Sequence, residues 1–147
     1  MGASLARFFL GQNRSVGFVA NGQTYTVLPP DRGARQLNKM LEALALLRSE
    51  GRMPFSALVT GQVQHLTRGS TVIMITSSMR QQIALTVDYV ARRGLRPVVI
   101  LLDAGTFGGP MGARDVEMAV RALLVPVARV ENGDDLEILL NNVTAGV

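Results

Sequence analysis

The sequence predicts an α/β fold. A mostly parallel sheet carries helices on both faces, making three layers, and an N-terminal β-hairpin adds an antiparallel edge strand. Three observations predict this. The runs 71–76 (Thr-Val-Ile-Met-Ile-Thr) and 97–102 (Pro-Val-Val-Ile-Leu-Leu) are apolar on both alternating faces, the pattern of strands covered on both sides. Each is followed by a segment whose apolar residues fall three and four apart, which makes one helical stripe. The second half thus reads strand, helix, strand, helix, strand, helix, and right-handed crossovers between such units build a parallel sheet. At 147 residues and 48% hydrophobic content, the chain suits one domain over residues 1–147.

The elements follow in order. Residues 4–10 read as a short helix with Leu5, Phe8 and Phe9 apolar. Residues 16–20 are a strand, Asn21-Gly22 is a hairpin signal because both residues tolerate positive φ, and residues 24–28 alternate as a second strand. Pro29-Pro30 is expected to stop that strand. Asp31 is expected to cap a long helix with Leu37, Met40, Leu41, Leu44 and Leu47 on one stripe, ended by Gly51. A shorter helix covers 56–66, with Leu58, Val59, Val63 and Leu66 inward and Gly61 weakening it. After the strand 71–76, Ser78 and Gln81 form a capping box for a helix with Ile83, Val87, Val90 and Ala91 inward, closed by Gly94. The strand 97–102 leads through a glycine-rich loop, Gly105 to Gly112, to a helix opened by Asp115 and bearing Val116, Ala119, Val120, Leu123 and Leu124. Residues 126–130 are a third parallel strand, Asp134 caps a last helix through Leu140, and residues 141–147 read as a frayed tail.

Composition excludes several function classes. Without cysteine there is no disulfide framework, thiolate metal site or thiol nucleophile. One histidine, His65, excludes a multi-histidine zinc site and most histidine triads, and it reads as a surface or half-buried helix residue. Net charge is only +4, and the fourteen arginines are scattered from Arg7 to Arg129, the closest cluster being Arg92, Arg93 and Arg96. A nucleic-acid surface gathers its cations on one face with stacking aromatics, so this pattern reads as solvated faces with ordinary ion pairs. No apolar run approaches the ~20 residues of a membrane span, and the first residues do not form a signal peptide.

In open parallel sheets ligands bind past the carboxyl ends of the strands. Those ends carry Thr76, Ser77 and Ser78, then Asp103 with Thr106 in the following loop, then Glu131 and Asn132. The hydroxyls of Thr76, Ser77 and Ser78 could ligate a divalent metal or bind an anion; alternatively Thr76 ends its strand and Ser78 caps its helix. Asp103 is placed either as a catalytic or metal-binding carboxylate or as a turn residue bonded to its own loop. The Gly105 to Gly112 loop lacks the Gly-Lys-Ser/Thr ending of a phosphate loop and the spacing of a dinucleotide fingerprint, and reads as a mobile connector. No serine stands in a Gly-x-Ser-x-Gly elbow.

Several stretches together resemble a known family. They are Ser15-Val16-Gly17-Phe18-Val19-Ala20, the turn Leu28-Pro29-Pro30-Asp31-Arg32-Gly33, the helix 36–47, the strand approach Arg68-Gly69-Ser70-Thr71-Val72-Ile73-Met74-Ile75-Thr76-Ser77, and Arg93-Gly94-Leu95-Arg96-Pro97-Val98. They resemble the C-terminal part of bacterial proteins of domain of unknown function family 58, which are similar to von Willebrand factor A domains. The resemblance covers about residues 4–130. It implies a von Willebrand A-like topology lacking its first, central strand, in a fragment of a larger protein. That parent would be held to the cytoplasmic side of a membrane by upstream segments, with this fragment itself soluble.

The resemblance also bears on chemistry. The family's relatives bind Mg²⁺ through an Asp-x-Ser-x-Ser motif ending the first strand, a loop threonine and an aspartate after the fourth strand. Here the first strand is missing, Ser77 stands at the aspartate position, and Thr60 matches the loop threonine only loosely. The resemblance therefore implies no metal site and no cofactor. Loss of a central strand leaves the 16–20 and 71–76 strands with unpaired edges. Either these pair directly or a second copy fills the gap, and a homodimer is the expectation. Taken together, the function expected is a non-enzymatic protein-interaction module, an adaptor working with a MoxR-type AAA+ ATPase. The alternative is a small-molecule or nucleotide-binding enzyme domain that uses Asp103 and the Gly105 to Gly112 loop.

Overall fold

Two sheets form rather than one in the computed structural model, which describes residues 1–147. The chain divides into two units, Met1–Pro54 and Phe55–Val147.

The first unit runs α1 (Gly2–Gly11), β1 (Val16–Asn21), β2 (Tyr25–Asp31) and α2 (Gly33–Leu46). Ala6 and Leu10 of α1 and Met40 of α2 are buried together, with Val16, Phe18, Leu28 and Leu37 packed on them. The hairpin is present, but its turn differs from the expected one. Asn21 pairs with Tyr25, so Gly22, Gln23 and Thr24 form a three-residue loop closed by the Gly22 N–H on the Thr24 carbonyl at 3.1 Å. Asn21 and Gly22 both keep negative φ. Glycine is needed at the tip for room instead: a Cβ on Gly22 would lie 2.5 Å from the Arg48 carbonyl oxygen, and one on Gly51 would collide with the Asn21 carbonyl.

Gln23 completes this junction. Its side-chain amide donates to the Leu46 carbonyl at 2.6 Å and accepts from the Arg48 N–H at 2.7 Å. The last carbonyls of a helix have no partner within it, and Gln23 satisfies one of them. Helix α2 therefore ends at Leu46, not at Gly51. Asp31 does not cap α2 either, because its carboxylate accepts from the neighbouring Arg32 N–H at 2.8 Å.

Pro29-Pro30 does not stop β2, which continues to Asp31 opposite Val16, with a register shift between Val16 and Phe18. Prolines lack the N–H that a facing carbonyl requires. Gln36 supplies the donor: its amide nitrogen reaches the Val16 carbonyl at 2.7 Å and the Pro29 carbonyl at 3.0 Å, and the residue is buried.

The second unit runs α3 (Phe55–Val63), β3 (Thr71–Thr76), α4 (Gln82–Arg92), β4 (Arg96–Leu102), a 3-10 turn (Ala104–Phe107), α5 (Ala113–Arg121), β5 (Val127–Val130) and α6 (Leu136–Thr144). The three strands are parallel in the order β3-β4-β5. Met74, Val99, Leu101 and Val127 face one way and are packed by Val59 and Val63 of α3, Ile83, Val87 and Val90 of α4, and Val116 and Val120 of α5. Val98 and Ile100, alternating with them along β4, are equally inaccessible, which accounts for a strand apolar on both faces. Helix α6 packs against β5.

The hairpin therefore does not add an edge strand to the parallel sheet, as the sequence suggested. It forms a separate antiparallel pair, and no ladder joins β1 to β3. Smaller corrections concern helix ends. Ser78 does not cap α4, which starts at Gln82, because the Ser78 hydroxyl accepts from Arg80 N–H in a local turn. Ala91 is exposed, as are Leu123 and Leu124 beyond the end of α5. Leu124 takes the left-handed conformation at φ 60°. The last helix is capped by Asp135, whose carboxylate accepts from Glu137 and Ile138 N–H groups, while Asp134 accepts from Glu131 N–H. It extends to Thr144, whose buried hydroxyl donates to the Leu140 carbonyl, so the tail is ordered further than expected.

Candidate functional site

The parallel register brings the carboxyl ends of the strands level. Thr76 pairs with Leu101 and Leu102 with Val130, so Ser77 and Ser78, Asp103 and Glu131 follow side by side from the same rim of the sheet. At the first strand end the Thr76 hydroxyl accepts from the Ser78 N–H at 3.1 Å, closing a tight turn into Ser77 and Ser78. At the second, the Asp103 carboxylate accepts from the Gly105 N–H at 3.2 Å and starts the 3-10 turn. Thr106 returns its hydroxyl to the Asp103 carbonyl at 2.8 Å and accepts from the Asn132 N–H at 2.9 Å. Thr106 thereby ties the glycine-rich loop to the end of β5. Asp103 and Thr106 thus act together, and Thr76 and Ser78 act together.

The residue that organises this rim is one that the sequence did not single out. Arg129, inside β5, donates through Nη1 to Asp103 Oδ2 at 2.8 Å and through Nε to Glu117 Oε2 at 2.8 Å. Its Nη1 also pairs with Glu131. Arg121 in turn holds the other Glu117 oxygen, at 2.8 Å through Nη2. The Arg129, Asp103 and Glu117 side chains are 19%, 12% and 17% exposed, so this network is largely withdrawn from water. Such a charge is stable only when paired. The hydrogen bonds to Glu117, then to Asp103, raise the Arg129 guanidinium above its ordinary value despite burial, with Glu131 adding to them. For Glu117, burial pushes the carboxyl up, but the hydrogen bonds and charges of Arg121 and Arg129 outweigh it and hold the group below its usual range.

One signal for Arg129 was available. A charged residue within the four-residue strand Val-Ala-Arg-Val cannot face an apolar layer alone, so it required a carboxylate nearby. Glu117 and Arg121 also lie four apart on α5, the spacing of a helical ion pair.

Chemically, both Asp103 oxygens are engaged, one by a guanidinium and one by a backbone amide, which is the arrangement of a turn and anchoring residue. No group of three or more His, Asp or Glu side chains is arranged to hold a metal ion. His65 is exposed, and no helix is long and apolar enough to cross a membrane. In the loop at this rim, large apolar side chains stand in solvent, Phe107 at 58% and Met111 at 84%. A cleft of about 370 Å³ lies at the opposite end of the sheet, lined by Thr71, Arg96, Pro97 and Pro126 at the strand starts and by Leu123 and Leu124. No protein-family model matches the sequence, and no curated protein sequence matches it.

Proposed function

We propose that this chain is a non-enzymatic protein-interaction module whose contact surface is the rim at the carboxyl ends of β3, β4 and β5. The observation that carries the reading is the state of Asp103. A general base must turn a carboxylate oxygen toward the substrate proton it takes. Asp103 instead spends both oxygens on Arg129 and Gly105, and so fixes the loop that displays Phe107 and Met111. Exposed apolar side chains grouped on a rigid support favour partner binding.

The resemblance to the domain of unknown function 58 family supplies the partner class, a MoxR-type AAA+ ATPase, and the von Willebrand A-like topology supplies the frame. On this reading the loop from Gly105 to Gly112 is a display element, with Thr76, Ser77 and Ser78 contributing hydroxyls beside it.

The test is titration calorimetry of the 147-residue chain against a purified MoxR-type ATPase encoded in the same genome, with and without nucleotide. Binding is expected, together with its loss in Phe107→Ser/Met111→Ser. Both side chains are solvent-exposed, so thermal stability stays within about 0.5 kcal/mol of the parent. Absence of heat at about 100 µM ATPase, or binding indifferent to the double substitution, overturns the proposal.

A further inference from the structure

Strand β3 has hydrogen-bonded company on one side only, since the sheet order is β3-β4-β5. The Ser70 carbonyl accepts from Arg96 N–H at 2.9 Å, so that carbonyl faces β4. A strand turns alternate residues to opposite edges. Val72, Met74 and Thr76 therefore bond into β4, and the N–H and C=O groups of Thr71, Ile73 and Ile75 point to the free edge.

A free edge is a template for another strand, and proteins ordinarily blunt it with charge, proline or short length. The opposite edge of this sheet is blunted in those ways: β5 has four residues, follows Pro126 and carries Arg129. The β3 edge has none of these devices. No charged residue and no proline lies between Arg68 and Arg80.

We infer that β3 is a self-pairing edge, and that its occupant is β3 of a second copy of this chain, antiparallel about a two-fold axis at Ile73. Hydrogen-bond balance and charge select this partner. Centring the axis on Ile73 sets Ile73 opposite itself, Thr71 opposite Ile75 and Val72 opposite Met74. Every outward N–H and C=O on both strands then finds a partner, giving six bonds from the three outward residues of each copy. A two-fold axis brings each edge against an identical one, so a charged edge would repel itself. This one meets only β-branched and apolar side chains. The surface is distinct from the loop rim carrying Phe107 and Met111, and the inference stands or falls apart from the proposed function.

The experiment is sedimentation equilibrium of the whole chain over a concentration series, joined to amide hydrogen exchange resolved by residue. The expected result is a dimer forming at or below about 100 µM. The Thr71, Ile73 and Ile75 amides should become protected as concentration rises, while those of Val72, Met74 and Thr76 are protected throughout. Ile73→Pro removes one outward donor and should weaken association at least about 10-fold. Should that variant fail to fold, Thr71→Pro removes an outward donor at the strand start, where proline is best tolerated. A chain that stays monomeric throughout overturns the inference and leaves the edge to a different protein. So does a dimer in which the three outward amides exchange freely, or one that a folded proline variant leaves intact.

Discussion

Replacing Arg129 by methionine tests whether the rim is held by a withdrawn ion network. The substitution keeps the length of the side chain and removes the guanidinium from Asp103, Glu117 and Glu131. Glu117 retains Arg121, and Glu131, with a side chain 38% exposed, can turn to water, so these two add less than about 1 kcal/mol between them. Asp103 is left with a single backbone N–H at 12% side-chain exposure. Breaking a buried pair from one side costs about 3–5 kcal/mol. Partial exposure here places the total near the lower bound, about 3 kcal/mol. For a chain of 147 residues that is a fall of roughly 10 °C in Tm.

Thermal unfolding followed by far-ultraviolet circular dichroism measures it, with Arg92→Ala as the comparison. The Arg92 side chain is 79% exposed in a four-apart pair with Asp88, and its loss should cost no more than about 0.5 kcal/mol. The pH dependence adds a second arm. Glu117 is held below 4.5 in the folded protein, so its contribution is complete above that value and is lost as pH falls through the lowered folded value. In Arg129→Met, Glu117 loses one of the two guanidiniums that hold it low, so the gap between variant and parent should narrow as pH falls below 4.5. A cost at pH 7 no larger than that of Arg92→Ala, or a gap indifferent to pH, refutes the account of the rim.

Four further outcomes follow from single positions. Leu124 is 93% exposed at φ 60°, a conformation that costs an L residue about 1 kcal/mol and that asparagine tolerates; Leu124→Asn should therefore raise stability by about 0.5–1 kcal/mol, measured as an increase in Tm. Gln36→Leu keeps the volume but strands the Val16 and Pro29 carbonyls, and should lower the unfolding free energy in urea by about 2 kcal/mol. Gly51→Ala forces a methyl group into the Asn21 carbonyl and should cost at least about 2 kcal/mol, read from the same urea midpoint, whereas Gly61→Ala on α3, with open space at its Cβ, should be neutral or stabilising.

Much of the fold was legible because its signals are periodic. The run 71–76 is apolar on both alternating faces and β3 occupies those residues; β4 begins one residue before the run that announced it. The stripes of α4 and α5 placed Ile83, Val87, Val90, Val116 and Val120 in the core, where they are buried. Helix ends were less legible, because they are decided by partners distant in sequence. Helix α2 stops where Gln23, far upstream, takes the Leu46 carbonyl, and α4 starts late because Ser78 spends its hydroxyl on a turn. Of the rim, Asp103 and Thr106 could be found because position after a strand is enough to nominate them. Arg129 and Glu117 could not be joined, since the pair depends on α5 packing beside β5.

The same physics links three residues that no periodic pattern announces. Gln23, Gln36 and Arg129 each place a polar side chain where the chain has left a polar group without its usual partner: a helix-end carbonyl, the Val16 and Pro29 carbonyls at the proline pair, and a withdrawn carboxylate. Local rules read the defect correctly in each case, since prolines do remove ladder donors and helix ends do leave carbonyls bare. They predict the wrong consequence, a break, because the remedy arrives from elsewhere in the sequence. Pro29-Pro30 shows this most clearly, for β2 runs through a pair of residues that forbids a complete ladder and Gln36 replaces the missing donor. A polar side chain able to donate or accept is therefore the feature to match against nearby backbone defects when a strand or helix is expected to end.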